Sequence, residues 1–275
     1  ADFTEQLNTA FEKGNAEMYM LVDKVYYKKF LATAANAHII MANNGLTLKN
    51  VSLKHAGGSL KINGNILQKG NYNSFALNSV VSNVDISHFF YAFDNFGLSS
   101  ITSKNLRGFL SSKANVSGRI TNGGSLVPKS VVGDVVINLK KGALLSFDPI
   151  KNVGKFAFPF RDLDNITFSN LDGHFGLKGE KITIYPMQIN SSLLNLDLAG
   201  VYSLGKGTNL AIDVPLRNPK NDDEITDKAE RQKRRMKGIV IHLSAVDGDD
   251  GKVKIKLGRN KKKDKDKEEE DKDKS

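Results

Sequence analysis

Histidines are the residues best suited to metal or proton chemistry here, and His38, His55, His88, His174 and His242 show no H-x-x-x-H spacing and no clustered pair of carboxylates alongside. They read as separate surface or core histidines. The run Asp247-Gly248-Asp249-Asp250-Gly251 has the acidity of a calcium loop, yet its glycine stands one place early and Gly258 occupies the position of the bidentate Glu, so a hairpin turn is the better reading. Cysteine is absent, which excludes a disulfide framework, a Cys-based zinc site and a catalytic thiol. No G-x-S-x-G elbow, Walker A loop or G-x-G-x-x-G occurs, so hydrolase, NTPase and dinucleotide roles lack their signals. The expectation is a protein that is not an enzyme, with no catalytic, cofactor-binding or metal-binding residue and no cofactor.

What the residues do specify is a surface. Leu60 and Ile62 alternate with polar neighbours, and the same period of two returns at Ile182 and Ile184, at Leu194, Leu196 and Leu198, at Leu210, Ile212 and Val214, and at Val253, Ile255 and Leu257. Such alternation puts one face of a strand in an apolar environment and the other in water. Turn residues separate these runs at Asn63-Gly64, Lys69-Gly70-Asn71, Asn122-Gly123-Gly124, Lys141-Gly142, Gly179-Glu180, Gly205-Lys206-Gly207 and Asp247-Gly248. Their tolerance of φ > 0 suits short hairpins. The predicted fold is mainly β, an elongated, curled antiparallel meander with two or three short helices. One helix is predicted at Asp85 to Gly97, where Ile86, Phe89, Phe90 and Phe93 have helical spacing, a second near Ser146 to Val153, and a third at Thr4 to Lys13.

The organisation follows from composition. Residues 1–16 are an N-terminal edge with the third helix, 17–217 the β-region, 218–237 a polar charged loop, 238–258 a final hairpin and 259–275 a tail. The formal charge of +10 and pI near 9.5 raise the question of nucleic acid, but Lys261 to Ser275 hold seven Lys against seven Asp or Glu. The basic run at Lys228 to Lys237 follows Asp222, Asp223, Glu224 and Asp227, and no stripe of interleaved cations and aromatics stands out, so no nucleic-acid partner is predicted. The tail is expected to be solvated and dispensable. No run reaches the roughly 18 apolar residues of a membrane span. A start at Ala1 with no initiator Met leads to the expectation that a targeting segment lies upstream.

Read in order, several segments resemble the C-terminal region of AsmA family proteins, especially the form found in Bacteroidetes. They are Asn83-Val84-Asp85-Ile86-Ser87-His88-Phe89-Phe90, Asn95-Phe96-Gly97, Asn105-Leu106-Arg107-Gly108, the run Lys141 to Ile150, Ile166-Thr167-Phe168-Ser169-Asn170-Leu171, and Ile184-Tyr185-Pro186-Met187-Gln188-Ile189-Asn190-Ser191-Ser192. Their order across Tyr19 to Leu257 carries the likeness. The resemblance, which extends to TamB and the repeating β-groove lipid-transfer proteins, implies an inner-membrane anchor ahead of this chain, a periplasmic location in the envelope of a Gram-negative bacterium, and a part in outer-membrane biogenesis. It brings no catalytic residues.

By pattern alone, Ile182, Ile184, Leu194, Leu196, Leu198, Leu210, Ile212, Val214, Val253, Ile255 and Leu257 suit the core of an ordinary sandwich. The resemblance turns the reading to a groove that carries phospholipid acyl chains. Exposing a chain of roughly sixteen carbons to water costs about 13 kcal/mol, at about 0.8 kcal/mol per methylene, so a carrier needs a continuous apolar surface. The rival expectation is a scaffold or assembly factor that binds outer-membrane proteins, by strand addition at an open sheet edge.

Overall fold

The computed structural model describes residues 15–42, 44–70, 72–148, 150–151, 163–193, 195–216, 226–227, 230, 233–234, 237–249, 251 and 253–258. The helix expected over Thr4 to Lys13, most of the polar loop after Pro215, Leu194 and the charged tail lie outside them.

Strands dominate: β1 (Ala16–Tyr27), β2 (Phe30–Ala42), β3 (Gly45–His55), β4 (Gly58–Lys69), β5 (Tyr72–Asp85), β6 (Leu106–Thr121), β7 (Val132–Leu145), β8 (Asn165–Lys178), β9 (Lys181–Asn190), β10 (Asn195–Ser203), β11 (Asn209–Pro215), β12 (Val240–Asp247) and β13 (Val253–Leu257). They form one 13-stranded antiparallel sheet whose spatial order is the sequence order. The predicted meander is therefore observed, and the final hairpin β12–β13 continues the sheet by pairing with β11. Among the described residues β1 and β13 each have a single neighbour, so the sheet does not close into a barrel.

One α-helix, α1 (Ile86–Ala92), follows β5 directly. Asp85 caps it, its carboxylate accepting from the His88 N–H at 2.8 Å, and Ile86 and Phe89 are its buried residues. The chain then turns through Asp94, Asn95 and Phe96, all at positive φ, in a short 3-10 segment, Asp94–Gly97. In the second predicted helix, the N–H groups of Ile150 and Lys151 both donate to the Phe147 carbonyl, which makes a single turn; residues 152 and 153 lie outside the described set.

Two predicted turns are instead interior to strands. Gly64 lies in the middle of β4 and Gly142 near the end of β7. Glycine serves there as a small residue beneath a large one. Gly64 pairs directly with Leu77 and Gly142 with Phe168, and a Cβ at either position would collide with that partner's side chain. Next to Gly142, Lys141 has φ 50 and marks a β-bulge, as do Ala34 (φ 48) in β2, Asn50 (φ 50) in β3 and Asn83 (φ 52) in β5. Bulges bend a strand and increase its local twist, and their recurrence curls the sheet. A further register shift in β9 falls at Tyr185-Pro186, where the imide nitrogen has no donor to withhold from the ladder.

Curling has a sidedness. On one rim the connections are elaborate: between β5 and β6 run α1 and the 3-10 segment, between β7 and β8 lie residues 146–164, and between β11 and β12 residues 216–239. The opposite rim joins β2 to β3, β4 to β5, β8 to β9 and β10 to β11 by tight turns, and β6 to β7 through residues 122–131. Accordingly the two buried clusters sit toward the elaborate rim. One gathers Leu60, Val81, Val84, Leu106, Leu110 and Leu139 under Ile86 and Phe89. The other joins Leu163 and Ile166 to Val214 and Leu243, side chains from strands well separated in the sheet order.

Candidate functional site

Directly paired residues of antiparallel strands point to the same face, so the ladders trace rows across the sheet. One row runs Met18, Ile39, Leu48, Gly64, Leu77, Val116, Gly133, Leu177, Ile182 and Tyr202, from β1 to β10. A second runs Met41, Leu46, Ile66, Phe75 and Gly118. Both lie toward the rim of tight turns. The long row holds no charged residue, and beyond Met18 every member is half-buried. Half-burial of alternate residues is what lateral neighbours in a sheet produce, and among the described residues no further layer is packed on this row.

Large side chains on this face lie down over glycines. A Cβ on Gly118 would stand 3.0 Å from the Phe75 ring, and one on Gly173 would stand 2.9 Å from the Phe175 ring and 3.2 Å from Ile137. One on Gly133 would meet Val116 Cγ2 at 3.1 Å. Glycine paired with an aromatic residue is a known device for shaping sheets, and here it keeps the floor of the trough low. The same face is closed near the other rim. There Phe89 contacts Phe93 and Phe96 at ring-centroid distances of 5.0 and 5.5 Å, while Phe30 stacks on His55 at 4.6 Å. His55 bonds the Leu31 carbonyl through Nδ1 at 2.7 Å, and its buried Nε2 has no partner among these rings.

The outward face is polar. Asn63, Asn78, Asn115 and Asp134 form a row across β4 to β7. Asn138 donates to Asn170 and Asp172, both at 2.7 Å. His38 pairs with Glu17 at 2.7 Å, His174 with Asp134 at 2.6 Å and His242 with Asp213 at 2.7 Å. The bond from His38 holds the Glu17 carboxyl below its usual range. These histidines are thus partnered one carboxylate at a time across strands, a pairing that separation in sequence conceals. Among the described residues no group of three or more His, Asp or Glu is arranged to hold a metal ion, and no helix is long and apolar enough to cross a membrane.

The candidate groove residues divide between the two zones. Ile182 and Ile184 lie in the uncovered trough, with Leu177 and Phe175 as cross-strand neighbours. Leu210 is buried opposite Gly200 and Ala245. Leu198, between Met187 and Ile212, is half-buried. Leu196, Ile212 and Ile255 pack against the cluster that contains Val214. On the edge strand, Val253 is half-buried and Leu257 is 78% exposed. Val116, Leu77 and Phe75 complete the trough without appearing among the candidates; their period-two spacing in β5 and β6 was the available signal. Comparisons with protein-family models, curated proteins and solved structures give no match.

Proposed function

We propose that this chain carries phospholipid along the uncovered trough, as an AsmA-like module of a Gram-negative envelope, held in the periplasm by an inner-membrane anchor and contributing to outer-membrane biogenesis. The observation that carries the reading is the half-buried apolar row from Met18 to Tyr202, uninterrupted by charge and with no covering layer among the described residues. An acyl chain laid across the strands would regain the shelter that this surface leaves unused, at about 0.8 kcal/mol per methylene. The order of the AsmA-like segments supports the same reading: Asn83 to Phe90 make up the end of β5 and most of α1, the elements that close one side of the trough.

Native mass spectrometry of the purified protein tests it. Co-purifying phospholipid, displaced when Val116 is replaced by Trp to fill the trough, is the expected result. A protein that takes up no lipid from vesicles of phosphatidylethanolamine and phosphatidylglycerol would overturn it.

A second reading, an assembly factor for outer-membrane proteins, is favoured by the edge strand β1. It is 12 residues long, unpaired on one side, and presents Tyr19 (75% exposed) and Leu21 (84%), whereas β13 is short and carries Lys254 and Lys256. Long apolar edges template strand addition and charged short ones resist it. Capture of unfolded β-barrel chains, abolished by Leu21→Pro, is the outcome that would support this reading.

A further inference from the structure

Both rims of the trough carry cations. On the rim that carries α1 three are engaged, while Lys28, Lys54 and Lys104 are exposed and form no ion pair with a described residue: Lys29 pairs with Asp94 at 2.6 Å, Lys151 pairs with Asp164, and Arg107 donates to the carbonyls of Leu106 and Ser103 at 2.7 and 3.3 Å. Across from them, the consecutive turns β4–β5, β6–β7, β8–β9 and β10–β11 present Lys69, Arg119 with Lys129, Lys178 with Lys181, and Lys206. All six are exposed, and none forms an ion pair with a described residue; Arg119 lies over the Tyr72 ring at 5.1 Å. Of the carboxylates on this rim, Asp247 is turned onto the Gly207 and Thr208 N–H groups, Asp249 pairs with Lys254 at 3.2 Å, and Glu180 stands in the β8–β9 turn.

The spacing is regular and one contact is unfavourable. Turns on one rim recur every second strand, so a cationic turn stands about every 10 Å along the trough. Lys178 and Lys181 are directly paired across the β8–β9 hairpin, an arrangement that destabilises a sheet, and the Lys129 carbonyl stands 3.3 Å from where a Gly179 Cβ would be. Lys178 and Lys181 therefore face each other at one turn beside the Lys129 backbone, and Glu180, which stands between them in the chain, forms no ion pair with a described residue. A local rule broken without structural compensation points to something outside the chain.

We infer that this rim is a track for the phosphate of an anionic lipid headgroup, with the lipid's acyl chains lying in the trough beside it. The inference rests on the lipid-carrying reading and adds the headgroup chemistry to it. A lipid whose chains occupy the row ending in Leu177 and Ile182 would emerge beside Lys178 and Lys181, the very next residues on those strands. Long lysine side chains can reach the lip from the outward face while their stems stay on the sheet.

The test measures extraction of fluorescent lipids from phosphatidylcholine vesicles by the full chain and by a Lys129→Gln/Lys178→Gln/Lys181→Gln variant. The probes are phosphatidylglycerol and diacylglycerol with the same chains. The wild-type protein is expected to prefer phosphatidylglycerol by about tenfold at low salt, with the preference fading as ionic strength rises. The variant is expected to lose that preference and to extract diacylglycerol unchanged. A variant that keeps the preference, or a wild-type chain that extracts both lipids equally, overturns the headgroup track and leaves the trough reading standing. Extraction of neither lipid overturns the trough reading itself. Competition by inorganic phosphate or by a single-stranded oligonucleotide as effective as that by phosphatidylglycerol would assign the lysines to a free anion or to nucleic acid, and would also overturn the proposal.

Discussion

Glycine 118 has no side chain, and the Phe75 ring rests where one would begin. Replacing it by Ala puts a methyl 3.0 Å from two ring carbons, so the ring must rise into the trough. The expected cost is about 1–3 kcal/mol, the usual range for overpacking, read from the urea midpoint. Charge inserted at single positions separates the two zones more sharply. Leu196 packs against the Val214 cluster, and Leu196→Asp is expected to unfold the protein by leaving a carboxylate among apolar neighbours. Ile184 lies in the uncovered trough, so Ile184→Asp should stay folded by circular dichroism while losing bound lipid. Equal unfolding of both variants would mean that the trough is filled. Asp247 supplies a pH-dependent contribution. The Thr208 hydroxyl, then the Gly207 N–H, hold its carboxyl below the usual range. A depressed folded-state pKa means that the stabilisation is complete at neutral pH and is lost as pH falls below the ordinary carboxylate range and through the folded value. Amide chemical shifts of Gly207 and Thr208 should report that loss, and Asp247→Asn should abolish the titration.

At the scale of elements, α1 is short for a helix that must stand by itself, and its stability comes from its cap and its contacts. Asp85→Ala removes the carboxylate that receives the His88 N–H and should cost about 1 kcal/mol. Phe89→Ala removes a buried ring from the centre of the aromatic group and should cost about 3–5 kcal/mol. Thermal unfolding of both variants checks the ratio. Helix α1 was visible in the residues, because a capping Asp and the helical spacing of Ile86, Phe89 and Phe93 survive without tertiary information. Asn63-Gly64 was misleading for the complementary reason. The dipeptide is a strong turn signal, and only the ladder reveals that Gly64 is paired with Leu77 and that Asn63 belongs to an outward row of asparagines. Strand β2 is poorly legible too, since Ala32, Ala35 and Ala37 give little hydropathy contrast along it.

In the whole molecule, every strand pairs only with its neighbours in sequence, which makes the sheet close to a one-dimensional array. Protection from hydrogen exchange should then be greatest in β5 to β8, which pair on both sides and flank the larger buried cluster, and should decline toward β1 and β13. Uniform protection in all strands would mean that a partner or a second copy covers the edges. The sequence by itself determined the class of structure: period-two alternation, turn residues and the absence of cysteine lead to a meander with one apolar face, because the alternation of side chains is a local property of extended backbone. It also specified the apolar set without dividing it. Which part of that face is covered was decided by the tertiary structure alone, because bulges set the curl and α1 with its 3-10 segment falls on one rim. Leu196 and Ile184 have the same local pattern and opposite surroundings for that reason. The exposed cations of that rim fall on a common edge only because strand pairing brings together connections far apart in sequence.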